Sequence, residues 1–182
     1  MKFLRIAAAA LVAGAASLTA TAQAPALTTF PVGTATVTAS ALAGNLDTVW
    51  ELVWGPDNFI WMTERNGRIS RVNPATGAVQ LLLAVPDVTE TGESGLLGLV
   101  VHPDLLTTSP YVYAVYNYTD AGVLKEKLVR FTYSVTANTL AAPLVLLGNI
   151  PATTTHSGSR LLLLPDRTLL MTTGDAQQLP QA

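Results

Sequence analysis

Hydrophobic residues recur along most of this chain at every second position rather than at every third or fourth, and this period is typical of β-strands. Ahead of the clearest strands, 25–31 is interpreted as a linker, and 33–42 as a half-exposed edge strand. The next predicted strands, each bounded by turn residues, are 50–54, 59–63, 68–72 and 78–85. Asn66-Gly67 predicts a two-residue type I′ hairpin, which needs positive φ at both residues. These ranges predict a four-stranded antiparallel sheet.

The same order of strands and turns recurs further along the chain. A second unit is predicted over 98–101, 111–116, 127–134 and 143–147, with a polar loop after 116, and a third begins with 160–164 and 168–172. Proline-aspartate corners start at Pro56, Pro103 and Pro165. Repeats of roughly 40 to 50 residues with about four strands each are typical of propeller blades. An antiparallel sandwich, in which these corners recur by chance, is the alternative.

The predicted fold is therefore all-β, with about three blades of four antiparallel strands. A closed propeller needs at least four blades, and the third unit breaks off before it is complete. We interpret 25–182 as the N-terminal part of a longer propeller, truncated at its C-terminus.

Residues 1–24 have the pattern of an export signal. Lys2 and Arg5 provide a positive start, 6–16 form a short apolar core, and the small residues that follow favour cleavage before Gln23. The apolar run is shorter than the roughly 20 residues that span a bilayer. The chain contains no cysteine, which excludes a lipoprotein anchor and a disulfide-stapled fold. We expect a periplasmic or secreted protein without a membrane span.

Composition narrows the class of partner. The chain is 49% hydrophobic and only 12% charged, and its formal net charge is −2. Such a chain lacks the basic surface that binds nucleic acid or anionic lipid, so neither partner is expected.

Candidate chemistry concentrates in a polar run that holds His156, with Arg160 four positions later, just before an apolar strand. Imidazole exchanges a proton near neutral pH, and loops on a rigid scaffold often carry function. The structural alternative is a surface histidine bonded to nearby hydroxyls. His102, directly before a Pro-Asp corner, is expected to bond the backbone of its turn. For Asp175, shaping a turn and contacting a site both remain open.

Three groups of residues carry a resemblance to a known family. They are Gly55–Asn58 with Ile60–Arg65 and Gly67–Val72; Gly92–Gly98 followed by His102-Pro103-Asp104; and His156-x-x-x-Arg160 with Pro165-Asp166 and Gly174-Asp175. Together they resemble the soluble quinoprotein glucose and aldose sugar dehydrogenases, which are six-bladed propellers that use pyrroloquinoline quinone (PQQ). The resemblance extends over roughly 49–175 and implies that this chain is the N-terminal half of such a propeller.

The resemblance also implies a chemistry. His156 corresponds to the general base, which removes the proton of a sugar's anomeric hydroxyl while hydride passes from C1 to PQQ, giving a lactone. Glu93 corresponds to a residue near the sugar and the quinone, and Arg160 is assigned with it to the cofactor site, although it could instead anchor the loop. The resemblance implies Ca²⁺ as a second cofactor, with no metal ligand assigned in this chain.

Two residues depart from the family pattern. Thr155 replaces an aspartate of the glucose-type enzymes and so removes a possible orienting partner of His156, and Ser159 replaces a glycine of the aldose-type loop. Two other functions stay open, a non-catalytic propeller that binds a protein or glycan, and a Ca²⁺-dependent propeller lactonase.

Overall fold

In a computed structural model, residues 26–178 are described, and within them the chain forms β-strands and no helix. The expected export signal lies outside the described residues. The strands are β1 (Ala26–Val32), β2 (Ala35–Ser40), β3 (Val49–Trp54), β4 (Ile60–Glu64), β5 (Arg68–Val72), β6 (Val79–Ala84), β7 (Leu96–Val101), β8 (Tyr111–Asp120), β9 (Val123–Ser134), β10 (Thr139–Pro151), β11 (Leu161–Leu163) and β12 (Leu169–Met171). Among described residues no helix is long and apolar enough to cross a membrane.

The strands pair in chain order as antiparallel sheets. Strands β3 to β6 form a four-stranded sheet, β7 to β10 form a second, and β11 pairs with β12; we call these sheets blades 1, 2 and 3. Strand β7 contacts both β3 and β11, while β6 contacts β10, so the first strands of the blades adjoin one another and the last strands lie together on the opposite side. Each Pro-Asp corner lies between the first and second strands of its blade. This is the repeating geometry of a propeller, and it confirms the all-β prediction against the sandwich alternative.

Blades 1 and 2 share one apolar core. Trp61 is fully buried between them and meets Tyr133 edge-on, with ring centroids 5.3 Å apart. Its indole Nε1 donates to Asp57 Oδ1 at 2.9 Å, so the Pro-Asp corner of blade 1 satisfies the one polar atom of this side chain. The remaining buried members are aliphatic and aromatic residues from both blades, among them Ile69, Leu99 and Phe131. Each such side chain stabilises the packing by about 1.5–3 kcal/mol.

Three details of the sequence interpretation were wrong. The expected linker is strand β1, which pairs with β2 through a turn at Gly33. The hairpin at Asn66 has a three-residue connection, in which Gly67 N donates to Glu64 O and only Gly67 has positive φ, so it is not type I′. The type I′ signature occurs instead at Ala121-Gly122, where both φ angles are positive.

The turn at Ala121-Gly122 explains the third error, which concerns the expected polar loop. The expected polar loop after 116 is the end of β8 and the start of β9, which pair without interruption from Tyr111↔Thr132 to Asp120↔Val123. Residues 119–123 at the tip of this hairpin are all exposed, so the polar composition there does not require a loop.

Two crossings between blades lie at one end of the sheets. Residues 85–95, here called connection 1, lead from β6 to β7, and residues 152–160, connection 2, lead from β10 to β11. They carry Glu93 and His156 respectively, so the fold brings the two main sequence candidates to the same end.

Candidate active site

His156 is held in an unusual backbone conformation. Its φ is 59°, in the left-handed region that non-glycine residues seldom occupy. The two flanking peptide groups are both bound, because His156 N donates to Glu93 Oε2 at 3.0 Å and His156 O accepts from Ala176 N at 3.1 Å. Strain of this kind persists only where the surroundings enforce it. The imidazole itself stays accessible, with 58% of the side chain exposed.

Asp175 orients the imidazole. His156 Nδ1 lies 3.1 Å from Asp175 Oδ1, and the same carboxylate oxygen accepts from Gln177 N at 2.9 Å. A carboxylate can only accept, so the proton of neutral imidazole lies on Nδ1 and Nε2 carries the lone pair. Nε2 has no hydrogen-bond partner within residues 26–178. Asp175 thus both shapes a turn and contacts the site, and it supplies the orienting partner that Thr155 does not.

Glu93 brings connection 1 against connection 2. Besides the bond from its carboxylate to His156 N, its own backbone N donates to Thr154 O at 2.7 Å. Ser94 Oγ donates to Thr153 O at 2.7 Å. At Gly92, with φ of 58°, a Cβ atom would stand 2.4 Å from Thr154 O. The two connections therefore lie too close for any side chain at this position.

Arg160 forms its ion pair with a residue of blade 1. Its Nη1 donates to Glu51 Oε1 on β3 at 2.7 Å, which joins the start of blade 3 to blade 1. Glu51 is buried, and burial raises the pKa of its carboxyl while the Arg160 guanidinium opposes the rise. The Arg160 side chain is still 70% exposed. The contact is structural, and the assignment of Arg160 to a cofactor stays a prediction.

A buried polar layer that the sequence interpretation missed extends from the two connections onto strands β8 and β9. Its members are Ser94, Asn117, Glu126 and Ser157. Asn117 and Glu126 face each other across β8 and β9, on the face that holds Val115 and Leu128 one pair of positions away. The period of two was the available signal, because it places both polar side chains on a covered face.

Glu126 is the most perturbed member of this layer. It is 1% exposed, and neither carboxylate oxygen has a hydrogen-bond partner in the described part of the chain. Burial raises the pKa of Glu126 to about 7, and the amide of Asn117 opposes that rise. The Glu126 carboxyl therefore gains and loses its proton near neutral pH.

Ser159 and His102 each accept a hydrogen bond from a backbone amide. Ser159, with φ of 82°, keeps the left-handed conformation that glycine would favour, and its Oγ accepts from the buried Gly98 N at 3.1 Å. His102 is buried and its Nδ1 accepts from Asp104 N at 3.1 Å, as expected of a residue that bonds its own turn.

Metal ligands are sparse in the described part of the chain. Residues 26–178 contain no group of three or more His, Asp and Glu side chains placed to hold a metal ion. The side chains of the described residues therefore offer no acidic cluster for Ca²⁺, and its assignment rests on the resemblance alone.

Comparison with known proteins relates this geometry to a family. The sequence model of the family described as Glucose / Sorbosone dehydrogenase matches residues 46–182. The chain is 37% identical over 143 residues to Quinoprotein glucose dehydrogenase B of Acinetobacter calcoaceticus. The aligned segment covers 74% of this chain and 30% of that protein. The chain thus spans about a third of the length of the curated relatives that it matches.

Solved structures agree. The PQQ-bound form of an aldose sugar dehydrogenase from Streptomyces coelicolor superposes with a TM-score of 0.66 at 31% identity, over 75% of this chain and 41% of that chain. The apo form of the soluble aldose sugar dehydrogenase of Escherichia coli superposes with a TM-score of 0.65 at 27% identity, over 75% and 40% respectively.

Proposed function

The chain belongs to the Glucose / Sorbosone dehydrogenase family, and from this premise we propose that it is part of an exported quinoprotein that oxidises the C1 hydroxyl of aldose sugars to lactones. The observation that carries the proposal is the His156–Asp175 pair at the blade end, where an exposed imidazole is held in one tautomer beside Glu93. The alignment of such a base with a substrate proton is what general base catalysis requires.

His156 would act through Nε2. With the Nδ1 proton directed to Asp175, the Nε2 lone pair accepts the proton of the anomeric hydroxyl, and the Asp175 carboxylate stabilises the resulting imidazolium. The C1–H bond is broken as hydride, which leaves a carbonyl at C1 and hence a lactone. Held between Glu93 and Ala176, the His156 backbone keeps the ring in place during the transfer.

PQQ, when bound, supplies the two-electron acceptor for that hydride. Because PQQ is anionic, a site for it needs cations. Arg160 fits this need, since its guanidinium is 70% exposed and uses only Nη1 for Glu51, which leaves N–H donors for a carboxylate. Glu93 cannot hold an anion and would serve the sugar hydroxyls instead. Calcium, which the resemblance implies, has no ligand set among the described residues and enters no step.

Dye reduction by the full-length protein, with PQQ and Ca²⁺ added and aldoses as substrates, tests the proposal. We expect turnover of aldoses and a loss of about 10²–10⁴-fold in kcat for His156→Gln. His102→Asn is the matched control, because it changes the other histidine outside the site and keeps an acceptor for Asp104 N. A folded, quinone-loaded protein without turnover would favour the binding propeller, and lactone hydrolysis in its place would favour the lactonase.

A further inference from the structure

Asn117, in the second half of the long β8 strand, is fully buried and makes bonds to both connections. Towards connection 1 it makes three. Its backbone N donates to Gly95 O at 2.9 Å, its side-chain Oδ1 accepts from Gly95 N at 3.1 Å, and its backbone O accepts from Thr89 N at 2.8 Å. Thr89 and Gly95 of connection 1 are thereby tied to a strand of blade 2.

Towards connection 2 it makes one bond. Its Nδ2 donates to Ser157 Oγ at 3.2 Å, and Ser157 Oγ in turn donates to Thr153 O at 3.2 Å. The hydroxyl thus uses its single proton within connection 2 and accepts from Asn117.

The orientation of this amide is determined by its surroundings. Gly95 N needs an acceptor, so Oδ1 faces connection 1 and Nδ2 faces Ser157. Glu126, the cross-strand neighbour of Asn117, lies on the same face, and a carboxyl there favours the NH₂ end of the amide. In the flipped amide, Nδ2 would face Gly95 N, which is also a donor, and Oδ1 would face Ser157 Oγ, whose proton is directed to Thr153 O. One orientation is therefore strongly preferred.

The bonded residues adjoin the two candidate site residues. Gly95 is two positions after Glu93, and Ser157 directly follows His156, whose backbone N donates to the Glu93 carboxylate at 3.0 Å. A single side chain therefore spans the two connections directly beneath the Glu93–His156 contact.

We propose that Asn117 is a positioning residue that sets the placement of His156 relative to Glu93 by bonding connection 1 and connection 2 at once. The inference rests on the proposed function for its catalytic consequence, but the coupling of the two connections does not depend on it. Removal of the amide leaves Gly95 N without its acceptor and Ser157 Oγ without the donor from blade 2, and this lets connection 2 move away from Glu93.

The test compares Asn117→Ala, Ser157→Ala and the double variant in the full-length protein. We expect about a tenfold fall in kcat for each single variant with KM little changed, because misplacement of the base affects the transition state more than sugar binding. The kcat of the double variant should fall no further than that of Asn117→Ala alone, because in a double-mutant cycle two groups that act through one bond are not additive.

Hydrogen exchange of the quinone-free protein gives a second readout. Backbone amides of 152–160 should exchange at least tenfold faster in both single variants, while those of β3 to β5 stay unchanged. Asn149→Ala is the matched control, because this exposed asparagine bonds Tyr118 and Lys125 and contacts neither connection. Since Ser157→Ala removes only a hydroxyl, it keeps the test valid even if Asn117→Ala unfolds.

Unchanged exchange in 152–160, or a fall in kcat explained entirely by the folded fraction, would overturn the positioning role. Faster exchange in a protein whose wild type shows no turnover would instead retain the coupling and reject the sugar dehydrogenase proposal.

Discussion

Connections 1 and 2 make the same crossing between successive blades, but they carry positive φ angles in different ways. In connection 1 the positive values fall on Gly92 and Gly95, where no Cβ opposes them. In connection 2 they fall on His156 and Ser159 as well as on Gly158. Non-glycine residues in this region cost about 1–3 kcal/mol each, so connection 2 is held in a conformation that it would not adopt alone.

The bonds of connection 2 show what holds it. It is bound by connection 1 through Glu93 and Ser94, by strand β7 through Gly98, and by the residues after β12 through Gly174 and Ala176. The glycine-rich connection therefore supports the strained connection, which carries His156.

The largest effect is expected where the support touches the strained connection. Gly92→Ala would place Cβ 2.4 Å from Thr154 O, at a φ of 58°, and so combines backbone overlap with left-handed strain. We expect a loss of about 3 kcal/mol in the free energy of unfolding, with kcat lowered in parallel. Denaturant titration measures the first, and dye reduction the second.

Gly33→Ala is the control for this variant, because Gly33 has nearly the same φ, 59°, but nothing within 4 Å of the added Cβ. Gly33→Ala should lower the free energy of unfolding only by the cost of its left-handed backbone conformation, about 1 kcal/mol. Equal costs at the two positions would show that connection 1 does not support connection 2 by close contact.

A second test addresses the buried layer under both connections. Because burial raises the pKa of Glu126 from 4.5 to about 7, the folded state binds more protons than the unfolded state between these values. This contribution to stability is fully present below about pH 4.5 and is lost as pH rises through about 7. It amounts to about 3 kcal/mol at most.

Glu126→Gln should remove that part of the pH dependence and make the protein more stable than wild type at pH 8. Glu90→Gln, at an exposed carboxylate that pairs with Arg65, is the control and should leave the slope unchanged. Urea titrations at several pH values measure both, and a wild-type slope retained in Glu126→Gln would contradict the assignment to Glu126.

The smallest effect is expected at Ser159, where two variants distinguish backbone strain from hydrogen bonding. Ser159→Ala loses the acceptor of Gly98 N but keeps a Cβ at a φ of 82°, whereas Ser159→Gly loses the same bond and relieves the strain. We expect Ser159→Gly to be the more stable of the two by about 1 kcal/mol. Thermal unfolding of the pair measures this difference, and if the order is reversed, Ser159 is not strained.

Much of the fold was predictable because the signals are local. The period of two, the Pro-Asp corners and the blade-length spacing identified two complete four-stranded units and the start of a third. The errors occurred where a turn type depends on the whole hairpin. Asn66-Gly67 has the composition of a type I′ turn, but the register of β4 with β5 leaves three residues in the connection.

The candidate site was predictable only in part. His156 was identifiable because a histidine in a polar loop is chemically conspicuous, and the resemblance added Glu93. The orienting role of Asp175 and the buried layer of Asn117 and Glu126 were not, since these residues lie between 19 and 39 positions from His156. The bonds of Asp175 and Asn117 to connection 2 form only in the folded chain.

The sequence by itself determined most of the strands and the repeat, because hydrophobic period and turn chemistry act between neighbours in the chain. The tertiary structure alone decided which nitrogen of His156 faces Asp175, that Arg160 bonds Glu51, and that Asn117 joins the two connections. These depend on contacts between blades, whose geometry follows from packing across tens of residues and leaves no local pattern in the chain.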